Sequence, residues 1–97
     1  MIVGVCRLTL SIPGSYSLKD KRRVVKSLVE RIRHRYNVAA AEVDAHEVWN
    51  IAVIGVSCVS TSGAHAHEIL DHIVAFADNG HEDAELVDHT VEILSGF

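Results

Sequence analysis

Proline occurs once in this chain and no low-complexity run interrupts it, which excludes a disordered or linker-rich polymer. Long apolar runs are absent: "IVGV" and "IAVIGV" fall far short of the roughly 20 residues that a helical bilayer crossing needs. The N-terminus carries neither the basic start nor the cleavage site of a secretory signal, so a cytoplasmic protein with no membrane association is expected. Cysteine is scarce as well. Cys6 and Cys58 lie in strand-like apolar runs without a CxxC spacing, which gives no zinc or redox signature and points to two buried, unpaired thiols. Aromatic residues make up 5% of the chain, too few to line a sheet with base-stacking rings.

The most informative absence is of positive charge after position 35. Residues 36 to 97 contain no Lys or Arg and eleven acids, a net −11, whereas residues 1 to 35 hold nine basic and two acidic side chains, a net +7. The overall charge of −4 hides this separation. Eight of the nine cations fall within "KDKRRVVKSLVERIRHR", positions 19 to 35.

With 97 residues and 48% hydrophobic content, the chain suits a single domain over residues 1–97 with one modest core. From Ile2 to Ile12 the even positions read Ile, Gly, Cys, Leu, Leu, Ile, the period-two pattern of a strand with one core face. "PGSYS" follows as a turn. Ser17 with Asp20 three residues on matches a capping box and predicts a helix from Leu18. In that helix Leu18, Val25, Leu28, Val29, Ile32 and Tyr36 form one core-facing stripe. "NVAAAEVDA" and "WNIAVIGVSCVS" read as two strands of a hairpin turning around His46 and Glu47, the second apolar on both faces and hence central. A second helix spans "TSGAHAHEILDHIVAFADNG", with Ala66, Ile69, Leu70, Ile73 and Ala77 inward and Asn79-Gly80 as its stop. A last strand runs from about Glu85 to Leu94. Strand, helix, strand, strand, helix, strand is the order of an α+β, ferredoxin-like βαββαβ sandwich: a four-stranded antiparallel sheet with both helices on one face.

The open face of that sheet is expected to carry Val3, Val5 and Arg7, with Trp49 from the third strand, as an interface closed by a second copy of the chain. On the first helix, Lys19, Arg23, Lys26 and Arg33 fall on one flank and the outer face, Arg31 and Arg35 on the other, with Lys21 and Arg22 in the first turn. Backbone N–H groups and the helix dipole at that turn favour an anion, although Ser17 and Asp20 compete for the same donors. Lys19, Lys21, Arg22, Arg23, Lys26 and Arg33 are therefore the candidate phosphate or RNA contacts. Two readings compete with this: a solvated face with local pairs to Glu30, and pairing with acids such as Glu82, Asp83, Glu85 and Asp88.

His65, Glu68 and His72 share the outward side of the second helix and offer a weak, adventitious metal site rather than a physiological one. Ser57, Ser60, Thr61 and Ser62 stand near histidines, yet no G-x-S-x-G elbow, Walker A loop or G-x-G-x-x-G occurs, so neither an enzyme nor a cofactor is expected.

The block Ser17-Leu18-Lys19-Asp20-Lys21-Arg22, with Ala41-Glu42-Val43 and "VSTSGAHAHEILDHIVAFAD", resembles the YlxP-like family of small bacterial proteins, a domain of unknown function, over essentially the whole chain. The resemblance implies the same ferredoxin-like fold, a cytoplasmic location and a gene neighbourhood of translation initiation and ribosome maturation. It implies no catalytic residues. Its block includes Ser17, Lys19, Lys21 and Arg22. Together these point to a non-catalytic RNA- or ribosome-associated protein, against a homodimeric protein-interaction module and, third, an enzyme or small-anion sensor.

Overall fold

The computed structural model describes residues 1–79 and 81–97. Six elements follow in the expected order: β1 (Ile2–Ser11), α1 (Leu18–Arg35), β2 (Ala39–Asp44), β3 (Ile51–Ser60), α2 (Gly63–Asn79) and β4 (Glu85–Leu94). The strands form one antiparallel sheet of order β2-β3-β1-β4, the ferredoxin-like arrangement, with β1 and β3 central. α2 is described as far as Asn79; the predicted helical stop at Asn79-Gly80 falls partly on Gly80, which lies outside the described residues.

Alternation along β1 sends Cys6, Leu8 and Leu10 inward, where they meet Ala52, Ile54, Val56 and Cys58 of β3. Val24, Val25, Leu28, Val29 and Ile32 of α1 and Ala66, Leu70, Ile73 and Ala77 of α2 close the same cluster, so both helices cover one face of the sheet. Each large aliphatic side chain buried this way contributes about 1.5–3 kcal/mol. Close approach of α2 to β1 depends on Gly4: a Cβ there would lie 2.8 Å from Leu70 Cδ1 and 3.0 Å from Cys58 Sγ. No described helix is long and apolar enough to cross a membrane.

The hairpin between β2 and β3 departs from the sequence reading. β2 is shorter than "NVAAAEVDA", and Trp49 and Asn50 belong to a connection over residues 45–50 instead of to β3. Val48 N donates to Ala45 O and Ile12 N to Asn50 O, so this backbone is satisfied by turn and loop partners, not by a strand ladder. Ala45 takes a left-handed φ of 56°. A bulge between Glu42 and Asp44 throws Val43 over Gly55, where a Cβ would stand 2.8 Å from Val43 Cγ1.

Val3, Val5 and Arg7 do lie on the open face, opposite Val59, Ser57 and Gly55 of β3. Arg7 is tied there to Asp44 at 2.9 Å. The Asp44 carboxyl is held below the usual carboxylate range by the Ala45 N–H first and by Arg7 besides. Trp49, grouped with this face in the sequence reading, stands instead in the loop beyond the strand end and stacks on Tyr16.

Both cysteines are free and buried. Burial, with a smaller contribution from the Asp71 charge, pushes the Cys6 thiol up to about 11 from 9.0. The folded state thus holds Cys6 neutral over a range in which the unfolded chain ionises it, and stability attributable to this group is intact below pH 9 and lost as pH rises from about 9 to 11. We expect native protein to resist a thiol reagent at pH 8 until denaturant is added. A Cys6→Ala variant should show a shallower loss of stability than wild type between pH 9 and 11 in urea titrations; identical pH profiles would count against a buried neutral thiol.

Candidate nucleic-acid interface

The eight cations of α1 do not share one fate. Lys21 has no exposed surface at all. Its Nζ donates to the carbonyls of Ala45 (2.7 Å), His46 (3.2 Å) and Ile51 (3.2 Å), and Glu42 Oε2 stands 3.0 Å away. An ammonium has three protons, and the three carbonyls take them. The Glu42 oxygen, buried and without a hydrogen bond of its own, interacts as a countercharge. Lys21 is therefore withdrawn from the candidate phosphate contacts: it is a structural staple that holds α1 to the 45–50 loop.

The first turn is also less hospitable to an anion than the sequence suggests. Ser17 Oγ accepts from Asp20 N at 3.1 Å, and Asp20 Oδ2 accepts from Tyr16 N at 3.2 Å. The chain's own carboxylate thus occupies the positive end of the helix. A small cavity of about 90 Å³ beside it is lined by Gly14, Ser15, Asp20, Arg23 and Asp83, which adds a second acid.

The remaining seven, Lys19, Arg22, Arg23, Lys26, Arg31, Arg33 and Arg35, are exposed. They divide between two flanks and the ridge between them, as 3.6-residue periodicity requires. On the β2 flank, Arg33 Nη2 donates to the carbonyl of Ala40, an acceptor on an edge strand. On the α2 flank, the guanidinium carbons of Arg31 and Arg35 lie 5.4 and 5.3 Å from the centre of the Phe76 ring. Tyr36 meets the same ring edge-on at 6.0 Å. Cation–π contact of this kind is worth about 0.5–1 kcal/mol at an exposed site, enough to bias two long side chains toward one side of the helix. Here an open groove of about 860 Å³ runs along α1, lined by Arg23, Lys26, Arg31 and Arg35 with Ser27, Glu30, His34 and Phe76. All of its lining residues but Phe76 belong to α1, so it runs over the helix's outer face and reaches α2 at that one ring.

Pairing with the acidic half does not consume this charge. Among the described residues, the one ion pair made by an exposed α1 cation is Arg23 with Asp20, at 4.0 Å within the same helix. Glu82, Asp83, Glu85 and Asp88 pair with none of the α1 cations.

The histidine cluster is not assembled into a metal centre. His67 Nδ1 pairs with Asp71 at 2.9 Å, and no group of three His, Cys, Asp or Glu side chains placed to hold a metal occurs among the described residues; His65, Glu68 and His72 are not brought together. His65 Nδ1 instead lies 3.2 Å from Ser60 Oγ. That hydroxyl also accepts from Ser62 N, and Ser62 Oγ accepts from His65 N. This is a local turn and helix cap.

Removing the Lys21 charge leaves three carbonyls and the Glu42 carboxylate without a partner, and breaking a buried pair from one side costs about 3–5 kcal/mol. We expect Lys21→Met to lower stability by that amount in chemical denaturation, against a change within about 0.5 kcal/mol for Lys19→Met at its exposed site. Equal effects of the two substitutions would contradict the staple.

Residues 3–91 match the model of a family described as "Protein of unknown function (DUF503)". The chain is also similar to the "Uncharacterized protein YlxP" of Bacillus subtilis (strain 168), 28% identical over 78 residues that cover 80% of this chain and 85% of that protein. The family match spans β1 through most of β4, including the capped first turn, the buried lysine and the cationic helix; the chain belongs to the DUF503 family.

Proposed function

We propose that the protein is a non-catalytic, cytoplasmic RNA-binding protein, acting on structured or ribosomal RNA, whose α1 outer face and flanks contact phosphates. The observation that carries this reading is the set of seven exposed α1 cations with no ion-pair partner among the described residues of the stretch 36–97. Phosphate contacts position a protein and give affinity without reading sequence. The acidic remainder disfavours nucleic acid on the other sides and so orients the domain.

Binding to ribosomal subunits and to a generic structured RNA across a salt series tests the reading. Each phosphate neutralised steepens the fall of log K with log salt by about 0.7–0.9, so four to seven contacts predict a slope of roughly −3 to −6. A Lys19→Glu, Arg22→Glu, Arg23→Glu variant should remain folded, since none of the three is buried, and should lose binding at least about a hundredfold. Lys21 has no place in this test because its reversal would unfold the protein. Wild-type protein that fails to bind either target at low salt would overturn the reading.

A second reading, a homodimer closed through the sheet, is supported by the open face. Val59 and Val43 are 68% and 53% exposed, and a trough of about 520 Å³ lies over Ala39, Ala41, Gly55 and Ser57 beside Val43. Exposed apolar side chains on an open sheet face favour a second copy, here beside the Arg7–Asp44 pair on the same face. It predicts a species of twice the chain mass in sedimentation at micromolar concentration and a monomer for Val59→Glu; a wild-type monomer throughout would dismiss it.

A further inference from the structure

Two of the chain's five aromatic residues stand at one end of the fold, outside the core. Tyr16 is 82% exposed and Trp49 44% exposed, and their rings lie nearly parallel, 6.3 Å apart at an angle of 20°. Large rings left in water contribute little to folding, and neither takes part in the hydrophobic cluster between helices and sheet. Their backbones, by contrast, are fixed from beneath by buried polar groups. Ser15, 1% exposed, has its hydroxyl within hydrogen-bond reach of both Trp49 O and Ser17 O. Lys21 holds the carbonyls on both sides of Trp49, at Ala45, His46 and Ile51. Asp20 accepts from the N–H of Tyr16. A fully buried lysine and a fully buried serine are an expensive way to anchor a surface loop, and what the loop displays is the aromatic pair.

We propose that the Tyr16–Trp49 stack is a platform for unpaired nucleobases of single-stranded RNA, with Lys19, Arg22 and Arg23 taking the adjoining phosphates. This rests on the reading of α1 as a phosphate-contacting surface and names the part of the RNA that surface holds. Every base offers a π face to such a platform, so stacking adds affinity without sequence preference. Rings carried on a backbone fixed before binding lose less entropy when a base lands on them than rings on a free loop. The setting favours nucleic acid over a protein partner. The three cations follow Tyr16 within seven positions, and the first-turn carboxylate among them, Asp20, is engaged with backbone N–H and Arg23. The loop itself is mixed, with exposed Val48 and Glu47 just before Trp49, so it is the run of cations after Tyr16 that tips the setting toward nucleic acid. The platform lies at the loop end of the domain, not on the sheet face that RRM domains use.

Trp49 is the only tryptophan, so its emission reports this site alone. The test titrates the full chain with a short single-stranded oligouridylate and, separately, with inorganic polyphosphate. The oligonucleotide should quench Trp49 emission. Polyphosphate should compete for the cations without quenching. Tyr16→Ala, at a position too exposed to threaten folding, should weaken oligonucleotide binding about tenfold at unchanged salt slope. Trp49→Phe should lose less affinity than Trp49→Ala. If the oligonucleotide binds with steep salt dependence but emission is unmoved and Tyr16→Ala binds like wild type, the platform is overturned while the cationic surface stands. If wild type binds no oligonucleotide and no structured RNA, both fall. Emission that responds to the protein's own concentration instead would assign the stack to a contact between copies and overturn the proposal.

Discussion

The ammonium of Lys21 is the point on which the loop end of this molecule turns. Placing a charge where no solvent reaches it is tolerable only if its hydrogen bonds are complete and a countercharge is close. Both conditions are met by pieces far apart in sequence: α1 supplies the cation, β2 the carboxylate of Glu42, and the connection between β2 and β3, with the first residue of β3, the carbonyls. One of those carbonyls belongs to Ala45, whose left-handed backbone carries a penalty of about 1–2 kcal/mol for a residue with a Cβ. The conformation persists because Lys21 and the Asp44 side chain hold it from two directions. Helix, edge strand and loop are thereby fixed relative to one another by a polar knot that adds to the apolar contact of Ala40 with the core.

With one cation drawn inward, the rest of α1 is free to serve its surroundings. Arg31 and Arg35 lie over Phe76 and line the groove toward α2, while Arg33 covers a carbonyl of the edge strand β2. These are arginine contacts in their chemistry: a planar, weakly hydrated guanidinium lies flat on a ring or forks toward an acceptor, which a lysine ammonium does less well. The three lysines of the helix divide differently, one buried as a point charge and two, Lys19 and Lys26, extended into solvent. The choice of cation along α1 therefore follows what each position touches.

The elements were legible in the sequence wherever a strong period ran uninterrupted. The alternation of Ile2 to Ile12, the stripe of Leu28 and Ile32, and Ala66, Leu70, Ile73 and Ala77 all lead to the buried positions found. Lys21 was legible in part: at about 100° per residue it stands only about 40° from Val25, on the inward side, yet a lysine is read as surface because it is seldom fully buried. Trp49 was misplaced for a different reason. Its β propensity favours a strand, but the backbone around it is claimed by Ser15, Lys21 and Ile12, and tertiary hydrogen bonds outweigh local preference. The groove at Phe76 could be read only in part, because its cations follow from α1 alone while the ring beneath Arg31 and Arg35 comes from α2. The cationic character of the site was plain from composition; which cations remain available was not.

The two ends of the sheet meet the solvent differently. β2 is short, and a guanidinium covers one of its acceptors. β4 is ten residues long and lies at the other edge, a shape that in a neutral sequence would template the addition of a strand from another molecule. Glu85, Asp88 and Glu92 punctuate that edge. A second β4 laid alongside would bring its own three carboxylates against them, and like charges set opposite each other on paired strands destabilise the pair. Part of the negative charge gathered in the C-terminal half thus bears on something other than a ligand: it disfavours edge-to-edge pairing of β4 with another β4.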